Sequence, residues 1–289
     1  MPYLTANTYT SHKETLPKIK IVDKIRVKLK VMLKRHRGTY DKNNIAPYEL
    51  SRSRIENFVR CPACFYLQQV KGIKFPSIPG FNINEATDVL LKRDFDKYRG
   101  QENTHPFLVS LGQSDLIPFK HENFELWTQS LHFGAVGRMH FIHEKTNLKV
   151  GGGLDDVWIN RKSGKLHIVD YKSTSQKAEG KTISLDDPWK DGYKRQMDLY
   201  VWIMRHMGFD VADLGYFLYC DGDRFSDYDF LGSEAATMKF SMSLLSYKVD
   251  TSWIEPTLNK IKICLNASSQ PDHSETCEMG QFLNSLSEL

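Results

Sequence analysis

GGGLDDVWINRKSGKLHIVDYKSTS, residues Gly151–Ser175, reads as two extended runs joined by RKSG, a hairpin signal. The first run opens on a glycine-rich acidic segment and the second ends on an acid-x-lysine triplet. Side chains two apart along a strand share a face, so Asp170 and Lys172 point one way and Tyr171 the other. A tight hairpin brings Asp155 beside Asp170, which places two carboxylates where a hard divalent cation such as Mg²⁺ binds. The apolar run LHIV before the triplet predicts a strand buried on both faces. Buried carboxylates and a lysine are costly unless they are paired or put to use.

That combination suits phosphodiester hydrolysis. A metal polarises the phosphoryl oxygen and lowers the pKa of bound water, and a nearby cation positions the water or offsets developing negative charge. Asp155 and Asp170 fit the first role and Lys172 the second. Alone, an Asp-x-Lys triplet is weak, because its ordinary explanation is an exposed ion pair.

Downstream, Trp189–Met207 carries Met197, Leu199, Tyr200, Val201, Ile203 and Met204 and predicts a long helix. Gln196 and Tyr200 lie four apart on one helical face and reach a common site. LGYFLYC reads as a buried strand, CDGD as a turn, and FSDYDFLG as a second, more polar strand. A helix over Trp253–Ala267 and a Ser- and Glu-containing tail follow. Upstream, LSRSRIENFVRCPACFYLQQV predicts helical turns flanking a Cys-Pro break, with Ser51 or Ser53 as N-cap and Glu56 completing a capping box with Ser53. KFPSIPGF is a loop, and Asn84–Tyr98 an amphipathic helix carrying Ala86, Val89, Leu90 and Phe95.

Taken in order, Gly152–Asp155, Asp170–Lys172 and Gln196 with Tyr200 resemble the motifs of the PD-(D/E)XK nucleases of the RecB type. LSRSRIENFVRCPACFYL resembles a segment near the start of AddB-like and CRISPR-associated RecB-like nucleases. The resemblance touches most of residues 50–280. It implies an α/β, restriction-endonuclease-like core, a mixed central β-sheet flanked by helices. The implied activity is a Mg²⁺- or Mn²⁺-dependent deoxyribonuclease, with Asp155 and Asp170 as metal ligands and Lys172, Gln196 and Tyr200 completing the catalytic set. DNA is the expected substrate, within a DNA-processing complex of further proteins. A catalytically inactive DNA-binding or scaffold subunit is the rival, which the intact Asp…Asp-x-Lys set opposes. The resemblance also suggests a metal-proximal acid on the helix over Asn84–Tyr98, either Glu85 or Asp88.

In those relatives the first cysteine joins three C-terminal ones around a [4Fe–4S] cluster. Cys61 matches the first position and Cys277 a later one, but CEMG puts Gly280 where a cysteine is needed. Cys61 and Cys64 also offer half of a tetrahedral zinc site, to be completed by Cys264, His273 or Cys277. Cys61, Cys64 and Cys277 therefore either form a cofactor pin of zinc or an iron–sulfur cluster or are simply packed as buried cysteines.

The rest of the chain bounds these readings. At 289 residues and 40% hydrophobic, it can bury a full core, so disorder is not expected. The expected division is a basic extension over 1–48 and the nuclease-like domain over 49–289. A net charge of only +4 hides a basic stretch, Lys13–Arg37, that either neutralises phosphates or forms a solvated amphipathic segment. No apolar run reaches spanning length, so no membrane partner is expected. An odd count of five cysteines fits a reducing compartment, and the cytoplasm is expected. The acidic run with Asp221, Asp223, Asp227 and Asp229 lacks the spacing of a calcium loop. His140, His143 and Cys220 are assigned no chemistry.

Overall fold

The computed structural model describes residues 35–76, 80–129 and 137–288. Most of the basic stretch Lys13–Arg37 therefore lies outside the described residues. From His36 onward the chain is one compact unit. No described helix is long and apolar enough to cross a membrane.

The elements follow in the order β1 (Tyr48–Ser51), α1 (Arg52–Arg60), α2 (Pro62–Gln69), α3 (Asn82–Asp96), α4 (Pro106–Ser110), β2 (Leu116–Pro118) and α5 (Phe124–Trp127). Next come β3 (His140–His143), β4 (Leu148–Gly151), β5 (Asp156–Asn160), β6 (Leu166–Thr174), α6 (Asp191–His206), β7 (Leu214–Gly222), β8 (Phe240–Lys248), α7 (Ile254–Asn266) and α8 (Glu278–Ser287). They form a mixed α/β fold of β-sheets flanked by helices, as the resemblance implies. The larger sheet has the order β2-β5-β6-β7-β8, antiparallel except where β6 runs parallel to β7. That parallel pair needs a crossover, and α6 supplies it. The smaller sheet has the order β1-β4-β3.

Both faces of β6 are covered, as its apolar run predicts. Val169 and Tyr171 join Phe95 of α3 and Trp158 of β5 in one buried cluster. Ile168, on the opposite face, joins the main core with Met197, Val201 and Met204 of α6. Full burial of such side chains contributes about 1.5–3 kcal/mol each. The close approach of α6 to the sheet needs Gly215, where an added Cβ would lie 2.4 Å from the Met197 sulfur.

Helix α1 is docked to α6 by a buried carboxylate. Glu56 does not complete a capping box; it accepts from Arg195 Nε and Nη2, both at 2.8 Å, and from Arg60 Nε at 3.1 Å. Ser51 alone caps α1, accepting from the Arg54 amide. Burial alone would raise the Glu56 pKa, but the Arg195 and Arg60 bonds outweigh it and leave it lowered. A lowered carboxylate stabilises the fold above its unfolded pKa, about 4.3, and that contribution disappears as pH falls through the folded value. Glu56→Gln is therefore expected to be less stable than wild type by about 1–3 kcal/mol at pH 7, with the difference shrinking below about pH 4. Urea unfolding at both pH values measures it; a gap that persists unchanged in acid would refute the clamp.

Three segments differ from expectation. The extended run before RKSG, with the residues leading into it, is not one strand but two, β4 and β5, belonging to different sheets and separated at Gly152–Asp155. FSDYDFLG is not the partner of β7. The Asp223 carboxylate accepts the amides of Phe225 and Ser226 and turns the chain away, and β8 pairs with β7 instead. The C-terminal tail contains a helix, α8, capped by Cys277. In α3, Val89 and Leu90 are exposed, and Thr87 and Phe95 face inward.

Candidate active site

Asp170 and Lys172 project from β6 toward α6, and Tyr171 projects to the opposite face. Asp170 is 1% exposed and accepts a 2.5 Å bond from Gln196 Nε2 on Oδ1. Its Oδ2 is in ion-pair contact with Lys172 Nζ and accepts no hydrogen bond of ordinary geometry among the described residues. Burial pushes Asp170 up to about 7; Lys172 opposes this and the neighbouring charge of Asp155 adds to it. Burial would lower the Lys172 pKa, but Asp170 and Asp155 hold it above the usual lysine value. The ammonium also sits 4.7 Å from the centre of the Tyr193 ring.

Asp155 lies in the turn between the two sheets. Its Oδ2 accepts from the Tyr171 amide at 2.9 Å, which holds it beside β6, and its Oδ1 is 3.5 Å from Lys92 Nζ of α3. Asp88, four residues before Lys92, belongs to the same group: burial and then the Asp155 charge raise it to about 6, against Lys92 and Lys172. Glu85, the other acid weighed on this helix, is exposed. Thr87 ties the helix down through its hydroxyl contact with Ser173 of β6.

Gln196 and Tyr200 reach the site from α6. Arg52 donates to Gln196 Oε1, so the amide bridges Arg52 and Asp170. Tyr200 is 5% exposed and packs against Gly152, where a Cβ would meet its ring carbon at 2.5 Å. The glycine before Asp155 is thus a matter of close approach. Five expected site residues, Asp155, Asp170, Lys172, Gln196 and Tyr200, converge. Arg52, Lys92 and Tyr193 were missed; the only cue for Arg52 was its place between Ser51 and Ser53 at the start of a helix.

The neighbouring aspartate has different surroundings. Asp156 is fully buried on the α3 side, where it accepts from Arg99, Trp158, Tyr171 and the Val157 amide. Next to Tyr193, Trp189 is exposed, its ring edge-on to Tyr193 at 5.7 Å. With Lys177, Lys181 and Tyr219 it lines a cavity of about 390 Å³.

A second group of ligand-type atoms lies apart from these carboxylates. Cys61, Cys64, His273 and Cys277 place their ligand atoms within 4.8 Å of one another, a set that could hold zinc or a similar ion. Cys264, weighed as a member, is excluded: it is buried and directed at the Pro62 carbonyl, 3.8 Å away.

Compared with known proteins, residues 106–277 match the family model described as the PD-(D/E)XK nuclease superfamily. No curated protein matches the chain.

Proposed function

The chain belongs to the PD-(D/E)XK nuclease superfamily, and on that premise we propose that it is a metal-dependent deoxyribonuclease of RecB-like type. The observation that carries this reading is Asp170, a buried carboxylate shared between Gln196 and Lys172, with Asp155 beside it and Oδ2 lacking an ordinary hydrogen bond. Burial, with the charge of Asp155 added to it, holds the Asp88 and Asp170 pKa values above the usual range, as expected where a cation is to be received. The donor set is oxygen only, which suits Mg²⁺ or Mn²⁺.

Asp155 and Asp170 would hold the ion, which when bound polarises the phosphoryl group and lowers the pKa of water. Lys172 places a fixed positive charge where the phosphate becomes more negative, or orients the attacking water. Gln196 fixes Asp170 and is itself fixed by Arg52. Tyr200 supports the turn that carries Asp155.

The exposed Trp189 offers a stacking surface and Lys177 and Lys181 offer charge for a strand approaching this face. The basic extension over 1–48 would add backbone contacts, and the domain over 49–289 would carry the chemistry. Five free thiols fit the cytoplasm.

The test is hydrolysis of labelled single- and double-stranded DNA with Mg²⁺ or Mn²⁺ and with EDTA. Cleavage with either metal and none with EDTA is expected. A folded protein that binds DNA but cleaves neither substrate in either metal would overturn the assignment and favour a scaffold role.

A further inference from the structure

We propose that Cys61, Cys64, His273 and Cys277 form a mononuclear zinc site that staples the Cys-Pro corner after α1 to the C-terminal helix. The side chains come from positions up to 216 residues apart, Cys61 to Cys277 being 277 − 61. His273 Nδ1 lies 3.4 Å from Cys61 Sγ, 3.7 Å from Cys64 Sγ and 3.5 Å from Cys277 Sγ. The Cys64 and Cys277 sulfurs are 3.4 Å apart. A tetrahedral zinc ion, with its ordinary bond lengths, separates two sulfurs by about 3.8 Å and a sulfur from a nitrogen by about 3.6 Å. The four atoms thus already sit close to the corners of one ion's coordination sphere.

The backbone supports the same chemistry. Cys61 caps α2 and its sulfur accepts the Cys64 amide at 3.5 Å; Cys277 caps α8 and its sulfur accepts the Gly280 amide at 3.3 Å. Both sulfurs thus sit at helix N-termini, each held in place by a backbone amide. The Gln270 side-chain amide lies 3.3 Å from His273 Nε2 and steadies the ring.

An iron–sulfur cluster does not fit this set. A four-iron cube binds each cysteine through a different iron, which spreads the sulfurs far beyond the span of one ion's ligands. Gly280 stands where a further cysteine was expected, and a Cβ there would lie 2.6 Å from the His273 ring. The histidine occupies the room that side chain would need, so it is the fourth ligand and the site is closed, with no position left for substrate.

This site shares no residue with the carboxylate centre, and its test needs no DNA, so the nuclease reading can fail without it and the reverse. Full-length protein is purified in reductant without chelator, and its zinc, iron and sulfide are measured. About one zinc per chain is expected, with neither iron nor sulfide, and Co²⁺ exchange should give the visible bands of a tetrahedral thiolate site. His273→Ala and Cys277→Ser should lose the zinc, and Cys264→Ser should keep it. Chelation of wild type should expose the segment after Ala267 to protease. Stoichiometric iron and sulfide would overturn the proposal, as would metal-free protein with a Cys64–Cys277 disulfide. Wild-type metal content and the Co²⁺ spectrum decide the matter even if a variant fails to fold.

Discussion

Replacing Asp170 with asparagine lowers metal-dependent DNA cleavage by at least about a thousandfold while the fold is retained. Asparagine keeps the shape of the side chain and can still accept from Gln196, but it removes the negative charge that would hold a divalent ion. Lys172→Met produces a comparable loss by a different route. Without the ammonium, nothing equivalent opposes the burial and the Asp155 charge that already place the Asp170 pKa at about 7. Asp170 then takes up a proton at neutral pH rather than remain as an unpaired buried charge. The sign is testable: because the carboxylate pKa rises, residual Lys172→Met cleavage should increase with pH above 7, whereas Asp170→Asn should show no such recovery. Labelled-DNA cleavage in Mn²⁺ from pH 6.5 to 9, with circular dichroism as the control for folding, reads both. Asp170→Asn protein that is folded and cleaves at the wild-type rate would remove this residue from the mechanism.

The second large effect separates two adjacent aspartates. Asp156→Ala is expected to lower stability by about 3–5 kcal/mol, because it strips a buried carboxylate from a partly buried arginine and two buried donors. Arg99 Nη2 at 2.8 Å, Trp158 Nε1 at 3.0 Å and the Tyr171 hydroxyl at 2.7 Å all converge on it. Arg99 keeps some support from Asp96 and from the Phe124 ring, which limits the loss. In a chain of this size the thermal midpoint should fall by roughly 10 °C. Asp155→Asn should behave in the opposite way. Its side chain is 21% exposed, so stability should change by less than about 1 kcal/mol, while cleavage is abolished. Thermal unfolding and cleavage measured on both variants settle the division; a stable but inactive Asp156→Ala would reverse it.

How much of this was legible before folding depends on the range over which each signal acts. The face-sharing of Asp170 and Lys172 is a two-residue periodicity, and the structure places both toward α6 and Tyr171 away from it. The pairing of β5 with β6 rests on the RKSG turn, also local. Gln196 and Tyr200 share a helical face for the same kind of reason. FSDYDFLG reads as the partner of β7 because it carries strand-like aromatics, and nothing in its own composition reveals that the Asp223 turn diverts it. The helix in the tail is not legible in the sequence because Cys277 is not an obvious N-cap, yet its sulfur receives the Gly280 amide.

The amino-acid sequence by itself determined the strand ending in Asp170–Lys172, the hairpin before it, the helix with Gln196 and Tyr200, and the Cys-Pro corner. Each is written in turn chemistry or in a period of two or 3.6 residues. Only the tertiary structure decided that Asp156 is buried in the core with Arg99, Trp158 and Tyr171, that Arg52 braces Gln196 across 144 residues, and that His273 rather than Cys264 stands with the three cysteines. These are outcomes of which surfaces meet when the sheet is covered by α3 on one side and α6 on the other. Burial then sets the rules locally, because a carboxylate or thiol removed from water must find its partner in whatever the folded chain brings within reach.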